Sequence, residues 1–372
     1  MEYFFTTQQL TVGYQKKPLI RDIEIRLKKG EILTLIGPNG AGKSTILKSI
    51  AKQLSLIGGV VCLEKEDLAQ MSGQRLAQRM AVVFTERMRT ELMTCEDVVA
   101  TGRYPYTGRF GLLSEKDIAA VREAMELVHV AELKDREFSR ISDGQRQRVM
   151  LARAICQEPE IVILDEPTSF LDVKYKLEFL SVLQEMRRKK GLTVIMSLHE
   201  LELAAKISDR VLCIGGEYVD RFGEPEEIFV PGYVTRLFQI STGSFDEESG
   251  GMELEPPKGK ADVFVIAGGG TGRGTFRRLQ REGTVFISGI LFQNDLDYPV
   301  ARALASEVIA VESFEPVSPE LLAEAKRRMD GCSRVICCRE HFGSLEQANR
   351  ELLSYAEESG KQVIMSGREK KN

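Results

Sequence analysis

One stretch decides the fold of this chain: Gly37-Pro38-Asn39-Gly40-Ala41-Gly42-Lys43-Ser44-Thr45, which matches G-x-x-x-x-G-K-[ST] at every fixed position. The apolar run before it, Ile32–Ile36, predicts a strand, and residues 45–50 after it predict a helix. In that setting the glycines let backbone N–H groups converge on phosphate oxygens, and the helix N-terminus adds positive potential. We expect Lys43 to reach the β- and γ-phosphates and the Ser44 hydroxyl to bind Mg²⁺. The stretch, called the phosphate loop below, predicts a site for a nucleoside triphosphate.

An acidic pair follows a second apolar run. Ile161–Leu164 is continuously apolar, as expected of a strand buried on both faces, and it ends in Asp165-Glu166. Beside a phosphate loop, Asp165 can hold Mg²⁺ through water, and Glu166 can polarise the attacking water as general base. Many strand ends carry exposed carboxylates, so the weight of this pair depends on the residues that precede it.

Those residues are Ile141-Ser142-Asp143-Gly144-Gln145, followed by a helical stretch at 146–154. With this segment the chain resembles the ATP-binding cassette (ABC) ATPases, whose signature is usually Leu-Ser-Gly-Gly-Gln. The resemblance covers about residues 1–240. It implies that Tyr14 stacks on adenine, that Asp172 belongs to the D-loop, and that His199, after an apolar strand, contacts the γ-phosphate.

The resemblance also implies an architecture and a partner. The expected fold is an α/β P-loop NTPase cassette with a parallel core, an antiparallel β subdomain and a helical subdomain at about 93–158. Two cassettes of this family pair head to tail, so Ser142, Asp143, Gly144 and Gln145 of one copy would close over ATP held by the other. Ser142 suits the N-cap of a helix whose N–H groups face the γ-phosphate. The chain carries one cassette, so the second would come from another copy, as a homodimer, or from a paralogue.

The chain departs from the family pattern at Thr85-Glu86. The family usually has glutamine here, after the strand at 81–84. The Thr85 hydroxyl can still approach Mg²⁺ or its water, but it is shorter than glutamine and lacks the amide.

Residues 101–110, Thr-Gly-Arg-Tyr-Pro-Tyr-Thr-Gly-Arg-Phe, look like a region of cassettes that serve iron–siderophore, haem and cobalamin importers. This likeness implies an ATPase that energises a membrane importer, with permease subunits and, indirectly, a substrate-binding protein as partners. An iron chelate is favoured over cobalamin only because iron-chelate importers are commoner. Two other classes remain open: a soluble ABC ATPase without a transporter, and a fusion of the cassette with a metabolic α/β enzyme.

Composition agrees with a soluble, cytoplasmic protein of two or more domains. The chain has 372 residues and a net charge of −4, which argues against a nucleic-acid binder. No apolar run approaches the length of a membrane span, and the first residues lack a basic region followed by an apolar core. We therefore expect a peripheral location on the inner face of the cell membrane, reached through permease subunits. The seven cysteines show no C-x-x-C spacing, which favours reduced thiols.

The last third of the chain reads as a separate domain. Residues 241–260 are rich in Gly, Ser, Glu and Pro and predict a linker, and apolar runs then alternate with helical stretches over 261–372. That alternation predicts a small doubly wound, Rossmann-like α/β domain. Its first strand runs into a glycine-rich turn at 268–274 and a helix with Arg277, Arg278 and Arg281. Such a turn can bind an anion or nucleotide in a regulatory role; the alternative is a tight turn beside a solvated arginine face.

Overall fold

The computed structural model describes residues 2–84, 92–108, 111–247 and 250–366, and the chain divides after Phe238 into two compact units. The strands of the first unit are β1 (Phe5–Tyr14), β2 (Lys17–Ile23), β3 (Arg26–Leu27), β4 (Ile32–Ile36), β5 (Gly58–Leu63), β6 (Glu66–Asp67), β7 (Met80–Val83), β8 (Ile161–Leu164), β9 (Thr193–Ser197), β10 (Arg210–Gly215) and β11 (Tyr218–Gly223). Its α-helices are α1 (Lys43–Ile50), α2 (Gly73–Arg79), α3 (Cys95–Ala100), α4 (Glu115–Leu127), α5 (Asp143–Cys156), α6 (Val173–Lys190), α7 (Leu201–Ile207), α8 (Pro225–Ile228) and α9 (Tyr233–Leu237).

The sheet of the first unit has an antiparallel part and a parallel part. Its order is β6-β5-β1-β2-β11-β10-β4-β9-β8-β7, and β3 pairs with β1. Strands β10, β4, β9, β8 and β7 are parallel neighbours. Every residue of β4, β8 and β9 is buried, which explains their continuously apolar sequences. The predicted cassette architecture is confirmed, and β4 and β8 end at the same edge of the sheet.

Helices α3, α4 and α5 pack together and bury a shared apolar core. Each begins with a capping box: Thr94 with Asp97, Ser114 with Asp117, and Ser142 with Gln145. A buried ion pair joins this helical region, because Arg103 Nε donates to Asp117 Oδ1 at 2.8 Å. In each case the capping Ser or Thr directly precedes the helix, and its Asp or Gln partner is the third residue of the helix.

The second unit contains a five-stranded parallel sheet and a short hairpin. Its strands are β12 (Ser244–Asp246), β13 (Gly251–Glu253), β14 (Val263–Ile266), β15 (Phe286–Phe292), β16 (Glu307–Val311), β17 (Arg334–Cys337) and β18 (Gln362–Met365). Its α-helices are α10 (Arg273–Arg281), α11 (Tyr298–Leu304), α12 (Pro319–Asp330) and α13 (Gln347–Glu358). The sheet order β16-β15-β14-β17-β18 is that of a doubly wound fold, with separate apolar cores on the two faces.

The segment 241–260, expected to be a linker, is partly structured. β12 and β13 pair as an antiparallel hairpin, and Glu253 accepts hydrogen bonds from the Arg277 guanidinium, including one of 3.0 Å from Nε. The expectation failed here because Gly, Ser and Glu also suit a short hairpin, and the contact that fixes it lies 24 residues away. Within the described ranges, no helix is long and apolar enough to cross a membrane.

Candidate functional site

The phosphate loop connects the buried strand β4 to helix α1, and its glycines are required by its geometry. Gly42 has φ of 97°, and a Cβ there would lie 2.7 Å from Ile20 Cδ1. A Cβ at Gly37 would lie 2.7 Å from the Ile214 carbonyl oxygen. The loop therefore excludes side chains at two of its fixed positions and turns its backbone toward α1.

Lys43, the first residue of α1, lies folded against the loop. Its Nζ donates to the carbonyl oxygens of Gly37 at 2.8 Å and Pro38 at 3.1 Å, and the residue is 5% exposed. Burial lowers the pKa of Lys43, an effect opposed by the charges of Glu166 and Asp165. The structure thus brings the predicted lysine and the predicted acidic pair within electrostatic reach of each other.

The other residues of the phosphate loop differ in their exposure to solvent. Asn39 and Gly40 are exposed, Pro38, Ala41 and Ser44 are half-buried, and Thr45 is buried. The Tyr14 hydroxyl and Thr45 Oγ1 lie 3.2 Å apart, so β1 places the predicted adenine-stacking residue next to the start of α1. Tyr14 is 52% exposed, which leaves its ring accessible.

The acidic pair is positioned by a residue that the sequence did not single out. Ser197, the last residue of β9, donates from Oγ to Asp165 Oδ1 at 2.7 Å and accepts from the Glu166 N–H at 2.9 Å. Asp165 and Ser197 are both buried. The register of β8 against β9 accounts for this contact. It sets Leu164 opposite Met196, so the residues that follow them, Asp165 and Ser197, lie side by side at the same edge of the sheet.

Glu166 and His199 form the exposed side of this group. His199 Nε2 and Glu166 Oε1 lie 2.6 Å apart. Glu166 has φ of 48°, a conformation that is costly for a non-glycine residue and persists only where its surroundings hold it. Lys43, Asp165, Glu166 and His199 therefore meet at the carboxyl edge of the parallel strands.

A neighbouring group of polar residues was also missed. Glu200 accepts from Thr168 Oγ1 at 2.9 Å and from Lys176 Nζ at 2.6 Å. Burial alone would raise the pKa of Glu200, but these two hydrogen bonds, together with a backbone hydrogen bond and the charge of Lys176, lower the pKa overall. The group ties the segment after Glu166 to the segment after His199.

The signature segment begins α5. Gln145 N–H donates to Ser142 Oγ at 3.2 Å, and Ser142 N–H donates to Gln145 Oε1 at 3.0 Å. Ser142 and Asp143 are exposed, and Asp143 forms an ion pair with Arg146. A Cβ at Gly144 would lie 3.4 Å from the Phe170 carbonyl oxygen, so the segment lies beside the turn that leads to Asp172, the N-cap of α6.

Two predicted features fall partly or wholly outside the described residues. Thr85 and Glu86 lie in the undescribed range 85–91, and the last two residues of the importer-like stretch form a second undescribed range, 109–110. In the described part of that stretch, Arg103 is buried and Tyr104 is 77% exposed.

The glycine-rich turn of the second unit is already bound to carboxylates of its own chain. Gly268 N–H and Gly272 N–H donate to Asp297 Oδ2 at 3.0 and 2.9 Å, and Arg273 N–H donates to Asp297 Oδ1 at 3.1 Å. Asp297 is fully buried. The expectation that this turn binds an anion is therefore wrong, because its converging N–H groups already bind the Asp297 carboxylate.

Comparison with known proteins gives two family matches, the ABC transporter family over residues 20–169 and the MJ0874 family over residues 286–372. An uncharacterized ABC transporter ATP-binding protein of Methanocaldococcus jannaschii is 42% identical over 275 residues, which cover 73% of this chain and 94% of that protein. The iron(3+)-hydroxamate import ATP-binding protein FhuC of Bacillus subtilis is 35% identical over 63% of this chain and 87% of its own length.

The cobalamin import ATP-binding protein BtuD of Halobacterium salinarum is 30% identical and covers 83% of this chain and 79% of its own length. Among solved structures, cbiO1 of Clostridium perfringens, part of the ABC transporter complex cbiONQ, matches with a TM-score of 0.55 at 26% identity. It covers 63% of this chain and 94% of its own.

Proposed function

The chain belongs to the family of ABC transporter ATP-binding proteins, and from that premise we propose that it powers import of an iron chelate or a related metal complex. It is an ATPase that energises an importer. Relatives named for iron(3+)-hydroxamate and for cobalamin support this substrate class. Three further relatives, named for achromobactin transport, for petrobactin import and for a probable siderophore transport system, support a siderophore as the substrate within this class.

The observation that carries the mechanism is the meeting of Lys43, Asp165, Glu166 and His199 at one edge of the sheet. Lys43 neutralises β- and γ-phosphate charge when its ammonium leaves the carbonyls of Gly37 and Pro38. Glu166 accepts a proton from the attacking water as general base, and His199, 2.6 Å from Glu166 Oε1, orients that carboxylate and contacts the γ-phosphate. Each role is assigned to a group whose position follows from β4, β8 or β9.

The oxygen donors beside the phosphate loop fit Mg²⁺. Ser44 offers a half-buried hydroxyl at the start of α1, and Asp165 offers a buried carboxylate at the end of β8. Hydroxyl and carboxylate oxygens are the ligands this ion prefers. When bound, Mg²⁺ would neutralise phosphate charge; Thr85 stays a further candidate ligand by sequence alone.

A second copy supplies the other half of each site. Ser142 and the N-terminus of α5 are exposed, so they are available to ATP on a partner cassette. The exposed Tyr104, beside the buried Arg103, supports a permease contact at residues 101–108. Contact with permease subunits would hold the chain at the inner face of the membrane, where a substrate-binding protein delivers cargo to them.

Glu166→Gln tests the hydrolytic assignment. The amide keeps the shape of the side chain but cannot take a proton, so ATP turnover should fall by roughly 100-fold or more while ATP affinity stays near wild type. Glu202→Gln, an exposed carboxylate on α7 paired with Lys206, is the matched control and should leave turnover unchanged. Near-normal hydrolysis by Glu166→Gln would remove Glu166 from the role.

Reconstitution tests the substrate class. The wild-type chain should co-purify with permease subunits from detergent-solubilised membranes, identified by mass spectrometry. In proteoliposomes with those subunits and their substrate-binding protein, a ferric hydroxamate should stimulate ATP hydrolysis, with cobalamin as the comparison ligand. Stimulation by cobalamin alone would replace the iron assignment, and absence of any permease would refute the importer.

A further inference from the structure

We propose that the second unit has its own small-molecule site, a cleft that takes an organic cation carried on an apolar body. The cleft, of about 390 Å³, opens at the carboxyl edge of the parallel sheet and lies outside the nucleotide site. Four chain segments line it: the turn after β14, the end of β15 with the residues that follow, the loop after β17, and the first turn of α13.

The position of the cleft follows from the strand order. β14 and β17 are neighbours, but the chain leaves β14 toward β15 on one side and leaves β17 toward β18 on the other. Loops that diverge from adjacent parallel strands leave a crevice between them, and such crevices are where open α/β sheets bind ligands. The cleft is therefore a consequence of topology, and its size suits a small molecule.

Two carboxylates converge in this cleft. Glu346 Oε1 and Asp295 Oδ2 lie 3.2 and 3.5 Å from the point where a Cβ of Gly268 would stand. Glycine at 268 thus leaves open the space between them. The one guanidinium in the lining, that of Arg339, is held by the wall: Nη1 donates to the Gly268 carbonyl oxygen at 3.1 Å and Nη2 to Glu346 Oε2 at 2.6 Å.

An independent observation points to a ligand here. Asn349 on α13 lines the cleft and is 6% exposed, and within the described residues its Oδ1 has no hydrogen-bond partner. Its Nδ2 donates to the Ile290 carbonyl oxygen at 2.8 Å, which fixes the amide so that Oδ1 remains an acceptor. A buried acceptor without a donor costs about 1–3 kcal/mol, and a bound N–H group would supply the donor.

Charge decides the class of ligand. The cleft is lined by two carboxylates, those of Asp295 and Glu346, and by one guanidinium, that of Arg339, whose buried Nε has no hydrogen-bond partner within the described residues. The carboxylates outnumber the guanidinium by one, so the cleft favours cations over anions. Its other walls are apolar, with Ile290 and Phe292 inside and Leu345, which is 70% exposed, at the mouth. A ligand with an ammonium group beside Asp295 and Glu346, and a ring or alkyl body between the apolar side chains, matches both the charge and the apolar walls of the cleft.

Three probes with one apolar body test the proposal on the full-length chain. Phenethylamine, 2-phenylethanol and 3-phenylpropanoate carry a cationic, a neutral and an anionic group on a phenyl ring. Saturation-transfer NMR at millimolar concentrations should give binding of the amine about tenfold tighter than that of the alcohol, and none of the carboxylate. Equal binding of the carboxylate, or no binding of any probe, would overturn the proposal.

Matched variants place the binding in the cleft. Glu346→Gln and Asp295→Asn should each weaken amine binding by about fivefold to tenfold, because each removes one charge and keeps an acceptor. Glu358→Gln, an exposed carboxylate at the far end of α13, should change nothing. Unchanged ATP affinity and melting temperature establish that the variants fold, and amine binding that survives both cleft variants would refute the site.

Discussion

Removing the Ser197 hydroxyl should damage both stability and catalysis, and the two effects can be separated. Ser197 Oγ donates to the buried Asp165 carboxylate and accepts from the Glu166 N–H, so Ser197→Ala leaves one acceptor and one donor without their partner. We expect the free energy of unfolding to fall by about 1–3 kcal/mol. Glu166 also loses the bond that holds its positive φ, and displacement of the general base should lower kcat by roughly tenfold to 100-fold.

A matched hydroxyl elsewhere in the same unit separates these effects. Thr7 is buried, donates to the Ile23 carbonyl oxygen at 2.7 Å and accepts from the Ile25 N–H at 2.8 Å. Thr7→Val should therefore cost similar stability, measured by urea unfolding, while kcat for ATP hydrolysis stays near wild type. If Ser197→Ala loses stability to the same extent but keeps wild-type kcat, Ser197 is structural only and the reasoning about Glu166 is wrong.

Three other predictions follow from single contacts. Hydrogen bonds from Ser114 lower the pKa of Asp117 from 3.8 to about 2, so the stability that this carboxylate contributes is complete above pH 3.8 and is lost as the pH falls toward 2. In Asp117→Asn the melting temperature should therefore depend less on pH over that range than it does in the wild type. An unchanged pH dependence would contradict this assignment. Asp297→Asn should destabilise the second unit by about 2–4 kcal/mol in chemical unfolding, because it sets an amide against three N–H donors; a loss below half a kcal/mol would show that they bind elsewhere. Burial raises the pKa of Cys156 to about 12 and of Cys213 to about 11, so iodoacetamide at pH 8 should label them only after unfolding, and rapid labelling of the native chain would refute that.

Much of the nucleotide site could be predicted because its signals are local. The phosphate loop requires glycine for its own backbone, and the strand before Asp165 is apolar because every one of its residues is buried. Ser197 escaped prediction because its partners lie more than 30 residues away, and a serine at the end of a strand has no distinctive local pattern. Only the register of β8 against β9 makes it a neighbour of the acidic pair.

The second unit shows the opposite limit. Its alternation of strands and helices predicted the doubly wound sheet, since that pattern is also local. The chemistry of its glycine-rich turn depends on Asp295 and Asp297, which lie more than 20 residues along the chain. A local sequence pattern predicts the backbone conformation that a turn can adopt. The charges around the turn depend instead on which other loop of the fold lies beside it.

Each unit of this chain has a glycine-rich turn between a buried strand and a helix, and the two turns have opposite electrostatics. In the first unit the turn is followed by Lys43, whose ammonium supplies the positive charge an incoming triphosphate needs. In the second unit the corresponding N–H groups bind Asp297, and Asp295 accepts from Gly269 N–H at 2.8 Å. An anion arriving there would meet carboxylates in place of free donors, whereas a cation would meet Asp295 and Glu346 beside an acceptor that lacks a donor. A turn of the same topology can thus serve ligands of opposite charge, and the charge of the side chain that lies against the turn decides which ligand it takes.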